Sequence, residues 1–285
     1  MPTILLLTAK TLAHDDVETS LVGAALADLG VGSSIVPWTA EGLADVAADL
    51  VVIRTTWDYT TRLPEFLAVL GSLSVPVRND IDIVRWNSHK GYLIQLVQAG
   101  VPVVPTTLLR RADLVDGVAP QLPDFGSPEI VVKPAVSAGA RGAGRFRAGA
   151  PQATDHLLAV LGGGDALVQP FQPEVTAGER SLVFLGRRYS HAVLKTPAAG
   201  DFRVQERLGG VNATHRATAA ELGVAEAALA AVPGGAAELL YARVDLVGSS
   251  DAPLVMELEL IEPELFVPLC AGSAKVLARA AVALL

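Results

Sequence analysis

One cysteine, Cys270, is all the thiol chemistry in a chain of 285 residues. That excludes an intrachain disulfide framework and any zinc site built on cysteine, and it fits a reducing cytoplasm, the expected location. Charge is scarce as well, with Asp, Glu, Lys and Arg at 18% against roughly 25% in ordinary globular domains. Basic residues are outnumbered, 22 Lys+Arg to 30 Asp+Glu, for a formal net charge of −8. A broad basic surface for nonspecific nucleic-acid binding is thereby excluded. Long apolar runs are missing too. The longest charge-free stretch, Gly91–Leu109, contains Gln95, Gln98, Gly100, Pro102 and Pro105, so no continuous membrane helix is expected. Met1–Ala9 is apolar but has no basic segment before it, so no secretory signal is expected either. Neither G-x-G-x-x-G nor a Walker A motif occurs, which disfavours a dinucleotide dehydrogenase or a P-loop enzyme. What the chain has in quantity is apolar material, 51% of its residues. That suffices for one large domain or two to three small ones.

Three stretches follow from the patterning, at 1–88, 89–167 and 168–285. In the first, short strands at Thr3–Thr8, Val31–Val36 and Leu50–Ile53 alternate with helices at Val17–Leu29, Glu41–Ala48 and Leu63–Leu73, which predicts a small parallel α/β sheet. The second opens with a helix over His89–Ala99, capped by Asn87 or Ser88, and contains a strand at Ile130–Lys133. The third reads as an antiparallel sheet with helices. It has a hairpin of Gly178–Leu185 with Tyr189–Thr196, a helix at Ala217–Ala231, strands at Glu238–Val247 and Pro253–Leu260, and a closing helix at Ala274–Leu285.

Three segments carry candidate chemistry. Ligands of parallel α/β sheets bind beyond the carboxyl ends of strands, and there the chain reads Arg54-Thr55-Thr56-Trp57-Asp58-Tyr59. These groups suit an amino-acid-like ligand; the plain alternative is that Trp57 and Tyr59 pack the loop and Arg54 pairs with Asp58. Lys133 leads into a loop of small residues, Ser137–Gly144, that includes Gly139, Arg141 and Gly142. Small residues let backbone N–H groups close around a phosphate; the alternative is an ordinary Ala- and Gly-rich hairpin.

The third segment pairs Tyr241–Val247 with Val255–Leu260. Side chains alternate across a strand. Folding about Ser249–Asp251 therefore sets Asp245 beside Glu257 and Arg243 beside Glu259, over an apolar face of Ala242, Val244, Leu246, Met256, Leu258 and Leu260. One arginine cannot neutralise three acids, and hard carboxylate oxygens suit Mg²⁺. The alternative is a solvated polar face. His191, on a strand beside Ala192, reads as structural, and Cys270 in an apolar setting as inert.

Arg243-Val-Asp245 followed by Glu257 and position 259 resembles the closing motif of the ATP-grasp ligases. The resemblance extends over the whole chain and implies the ATP-grasp fold, α/β (α+β), behind an N-terminal parallel α/β domain. It implies that Asp245, Glu257 and Glu259 hold magnesium, although Glu259 stands where the family usually has Asn. Lys90 and Lys133 would hold phosphates, with Ser137, Gly139 and Gly142 in the lid loop. Gln169 and Phe171, in Leu167-Val-Gln-Pro-Phe171, would lie at the hinge that reads adenine. Glu174 and Glu179 fall where the family places nucleotide-binding acids, and Glu179 is favoured for the ribose.

The phrases Arg54–Tyr59, Ser190–Lys195, Gly200–Gln205 and Glu259–Pro263 are similar to those of the cycloserine synthetase branch. That branch implies an ATP-dependent carbon–nitrogen ligase that cyclises O-ureido-D-serine in antibiotic biosynthesis. Arg54, Thr55, Trp57, Asp58 and Gln205 would then contact substrate, and Arg243, Arg203 and Lys195 would face the transferring phosphoryl group. An intermolecular amino-acid or peptide ligase and a non-catalytic ATP-binding module are the alternatives. The expected cofactors are ATP and Mg²⁺. The expected partners are a small amino-acid-like molecule and further copies of the chain, with no nucleic acid and no membrane. Charge distribution agrees: residues 131–210 hold 10 Lys+Arg and 6 Asp+Glu, and the remainder 12 and 24. A basic segment thus precedes an acidic hairpin.

Overall fold

The computed structural model describes residues 1–12, 16–115 and 117–285. β1 (Thr3–Thr8), α1 (Val17–Ala27), β2 (Gly32–Pro37), β3 (Leu50–Thr55), α2 (Leu63–Ser72), β4 (Val77–Arg78) and α3 (Ile81–Asn87) come first. Their strands form a parallel sheet in the order β2-β1-β3-β4. Ile4–Leu7 and Leu50–Ile53 are buried throughout, as continuous apolar runs in a parallel sheet covered on both faces should be. The helix expected at Glu41–Ala48 is only a 3₁₀ turn, Leu43–Asp45. Gly42 enters it at φ +71° and Val46 leaves it extended, so too few residues remain to nucleate an α-helix.

The next elements are α4 (Tyr92–Gln98), β5 (Thr107–Leu109), β6 (Glu129–Pro134), β7 (Gly144–Arg147), α5 (Pro151–Gly163) and β8 (Ala166–Pro170). Their antiparallel sheet runs β5-β8-β6-β7 and packs on α5 through Ala153, Leu157 and Leu161. β8 carries this sheet to Pro170, three residues beyond the boundary read from the sequence.

The helix expected at His89–Ala99 begins only at Tyr92, because Asn87 ends α3 instead of capping α4. Asp80 caps α3, accepting from the amide of Asp82. The Asn87 side chain is committed elsewhere: its Nδ2 donates to Leu258 O at 2.8 Å, and its Oδ1 accepts from Leu260 N at 2.9 Å. Lys90 therefore lies in the turn between α3 and α4.

The last elements are β9 (Glu179–Leu185), β10 (Arg188–Thr196), β11 (Val211–His215), α6 (Ala219–Ala230), β12 (Tyr241–Gly248), β13 (Pro253–Glu259) and α7 (Ser273–Val282). They form an antiparallel sheet ordered β11-β10-β9-β12-β13. Gly186 and Arg187 both have positive φ, giving the tight turn whose twist suits a hairpin. Thr218 and Glu221 form a capping box for α6. Leu277, Ala278 and Ala281 of α7 return to the first domain and share a core with Ile4, Leu6, Val22 and Leu26.

Candidate active site

β12 and β13 pair as expected at Arg243 opposite Glu259 and Asp245 opposite Glu257. A register shift beyond Asp245 sets Leu246 opposite Val255, so Val255 enters the core and Met256, expected on the apolar face, lines the cleft instead. The outer edge of β13 would expose unpaired backbone groups, and neighbouring segments satisfy them. Tyr92 Oη accepts from Leu258 N, Asn87 bonds Leu258 and Leu260, and Asn79 Nδ2 donates to Leu260 O. Val104 and Pro102 bond Val255. This clamp fixes the hairpin against the Asn87–Tyr92 turn, and so places Lys90 Nζ 3.0 Å from Glu257 Oε1. Lys90 also reaches the phosphate loop, donating from Nζ to Ser137 O and from its amide to Ala135 O.

In that loop Gly139, Ala140 and Gly142 take positive φ. A Cβ on Gly142 would lie 2.8 Å from Pro134 Cγ, so glycine is required there on both counts. Arg207 donates to Gly139 O, and Arg141 to Thr60 Oγ1. The loop is thus tied both to the strap before β11 and to the first domain.

Between the loop and the last sheet lies a cleft of about 770 Å³. One part is apolar, formed by Val131, Phe171, Val175, Phe202, Val204 and Met256; the other carries Lys90, Lys133, Glu179, Arg203, Gln205 and Glu257. Phe171 stacks under the Arg145 guanidinium at 3.6 Å and meets Phe202 edge-on. An aromatic base with an anionic tail suits such a surface. Ser137, Gly139 and Gln169 also line the cleft. Gln169 Nε2 donates to Thr106 Oγ1, and the Phe171 amide is taken by Glu129 O. Glu174 stands exposed on the 3₁₀ turn Pro173–Ala177 and does not line the cleft.

Cations and acids alternate beside the cleft. Lys195 pairs with Glu179 and lies 2.8 Å from Asp245, and Arg243 pairs with Asp245 at 2.9 Å and with Glu259. Burial opposes ionisation of Asp245, but Arg243 and Lys195 outweigh it and hold its carboxyl well below the usual range. Burial pushes Glu179 up to about 7 despite Lys195. Burial, with Glu257 and Asp245 nearby, outweighs Arg243 and raises Glu259 to about 7. Burial and then Glu259 lift Glu262 to about 8. Burial lowers Lys133, and Glu257 partly offsets that.

Among the described residues no three His, Cys, Asp or Glu side chains are grouped closely enough to hold a metal ion in this arrangement. Asp245 is enclosed by donors, whereas Glu257 and Glu259 are 26% and 29% exposed. Hard carboxylate oxygens on these two neighbouring acids of one strand fit a divalent cation of the Mg²⁺ type.

In the first-domain loop the plain alternative holds for Tyr59, which packs on Phe66, but not for the arginine. Arg54 does not pair with Asp58. Its guanidinium is 1% exposed, donates to Glu18 and Pro263 O, and sits 5.6 Å from the Tyr241 ring centroid. Thr55 bonds Thr8 and Asp16, Trp57 Nε1 donates to Glu262 O, and Asp58 accepts from Trp38 Nε1. None of the four lines the cleft. Arg54 and Trp57 tie the loop to the segment after β13, whereas Thr55 and Asp58 bond Thr8, Asp16 and Trp38 around the first sheet. Arg203 does line the cleft, its guanidinium held 2.8 Å from Asp201. His191 bonds Leu265 O, and burial lowers its pKa.

Sequence reasoning missed Ser181, whose Oγ donates to Asp245 at 2.6 Å. Two-residue alternation from Glu179 along β9 would have found it. Asn79, Asn87 and Tyr92 carried no local signal, since their partners lie more than 160 residues away.

A three-part α/β fold with lysines, a glycine loop and a carboxylate hairpin converging on one cleft defines an ATP-grasp ligase, an ATP-dependent enzyme. Residues 4–79 match the family model of the D-cycloserine synthetase DcsG N-terminal domain. The cycloserine biosynthesis protein DcsG of Streptomyces lavendulae is 33% identical over 253 residues, covering 83% of each chain. The chain belongs to the DcsG family. A crystal structure of D-cycloserine synthetase DcsG superposes with TM-score 0.86 at 27% identity, covering 99% of this chain and 100% of that one. The D-alanine–D-alanine ligase of Bacillus anthracis complexed with ATP shares the fold, with TM-score 0.69 at 15% identity, 99% of this chain and 97% of that one.

Proposed function

We propose that the chain closes O-ureido-D-serine to D-cycloserine at the expense of ATP. The observation that carries this reading is the convergence of Lys90, Lys133, Arg203 and Glu257 on the polar part of a cleft whose other part is apolar. The adenine lies against Val131, Phe171 and Met256, and Glu179 takes the ribose. Lys90 and Lys133 hold the phosphates. A substrate carboxylate oxygen attacks the γ-phosphorus, the bond to ADP breaks, and an acylphosphate forms. The oxygen-bound ureido nitrogen of the same molecule then attacks the acyl carbon, loses its proton, and phosphate leaves. Water then cleaves the carbamoyl group from that nitrogen as carbamate, which breaks down to carbon dioxide and ammonia.

Protein groups position and stabilise charge instead of bonding covalently. Arg243 and Arg203 face the charge that develops on the transferring phosphoryl group and the tetrahedral centre. Glu257 and Glu259 hold Mg²⁺, which when bound neutralises phosphate charge. Ring closure needs no second acceptor, and attack within one bound molecule has a high effective molarity. ADP release is measured with O-ureido-D-serine alone and with added amino acids. Release from the single substrate supports the reading; an absolute need for a second amine overturns it in favour of an intermolecular ligase.

A further inference from the structure

Glu179, Lys195, Asp245, Arg243 and Glu259 form an unbroken line of charge beside the cleft. Asp245 is its most enclosed member, with a side chain 3% exposed. Its two oxygens accept from Arg243 Nε and Nη2 at 2.9 and 3.0 Å, from Lys195 Nζ at 2.8 Å and from Ser181 Oγ at 2.6 Å. Four donors fill the lone-pair sites of a carboxylate. A divalent cation entering the cleft therefore meets Glu257 at its wall, with Glu259 two residues along the strand, but finds Asp245 closed.

The donors differ in how readily they can leave. Arg243 is fixed by Glu264 O at 3.0 Å and lies by the Phe266 ring. Ser181 is a short side chain on the central strand β9. Lys195 is a point charge on a flexible stem, and its second partner, Glu179, lines the cleft. A polyanion there offers the ammonium an alternative. Lys195 cannot leave uncompensated, because an unpaired buried carboxylate is costly.

We propose that Lys195 is a positioning residue that keeps Asp245 closed to divalent cations until a nucleoside triphosphate draws its ammonium away. The proposal rests on the reading of the cleft as an ATP site. It makes metal uptake at Asp245 follow nucleotide, and keeps the empty protein from collecting cations there.

The test is Mn²⁺ binding without nucleotide, read by electron paramagnetic resonance on the whole chain. Wild type and Lys195→Arg should bind Mn²⁺ weakly. Lys195→Met removes the cation between Glu179 and Asp245, leaving Asp245 paired with Arg243, and should bind Mn²⁺ at least tenfold more tightly. Adding Asp245→Asn should abolish the gain and so assign it. Lys195→Gln serves where Lys195→Met fails to fold, as judged by circular dichroism. A folded Lys195→Met or Lys195→Gln protein whose Mn²⁺ affinity stays within threefold of wild type overturns the proposal. ADP release by wild type keeps the two readings apart: turnover with no gain of metal binding rejects the gate alone, whereas failure to bind ATP rejects the reading of the cleft.

Discussion

Glu257 stands where a lysine that crosses to the phosphate loop meets the acidic face of the hairpin, and this makes it the most informative single substitution. Glu257→Gln removes a charge while keeping shape. Turnover should fall by about 100-fold or more, with an unchanged circular dichroism spectrum; turnover within a few-fold of wild type at limiting Mg²⁺ would remove Glu257 from the metal-holding pair. Arg54 is a different case. Buried between Glu18 and the Tyr241 ring, it joins the first domain to the segment after β13. Arg54→Ala should lower stability by about 3 kcal/mol in denaturant unfolding; unchanged stability with a raised substrate KM would restore a substrate contact. Glu262 gives a pH signature. Its folded value, near 8, lies above the ordinary carboxyl value, so the folded state binds the extra proton and the stabilisation is lost as pH rises through that interval. Glu262→Gln should therefore raise Tm at pH 9 relative to wild type and change it little at pH 4; an equal effect at both would reject the cause.

At the scale of elements, the two hairpins and the register of the acidic one were legible, because alternation along a strand is a local rule. Arg243 opposite Glu259 and Asp245 opposite Glu257 follow from spacing alone. The clamp on the outer edge of β13 was not legible, since Asn79, Asn87 and Tyr92 act on backbone groups far along the chain. For the same reason Asn87 read as a helix cap. The residue types of the Arg54–Tyr59 loop suit both binding and joining, and which groups they join, Glu18 and Glu262 O among them, is set by the fold. Two element-scale outcomes check this. Asn87→Ala strands two buried backbone groups of the hairpin and should cost about 2 kcal/mol, with faster hydrogen exchange at the Leu260 amide; unaltered exchange there would deny the clamp. Gly142→Ala places a methyl group against Pro134 at φ +74°, and should raise the KM for ATP by about tenfold with little change in Tm.

Over the whole molecule the net charge is −8, yet the cations and acids beside the cleft are paired with one another. The parallel sheet, the glycine loop and the carboxylate hairpin are joined by Arg141 to Thr60, Lys90 to Glu257 and Arg54 to Pro263 O. A ligand in the cleft is therefore met by the glycine loop and the hairpin, while the parallel sheet braces both from outside it. Closure of one molecule on itself is the reaction this account assigns to that arrangement. The most direct measurement is the ratio of ADP released to ring formed, with O-ureido-D-serine as the sole organic substrate besides ATP. The account predicts one ADP for each D-cycloserine. No ADP, or ADP only when a second amine is supplied, would contradict it.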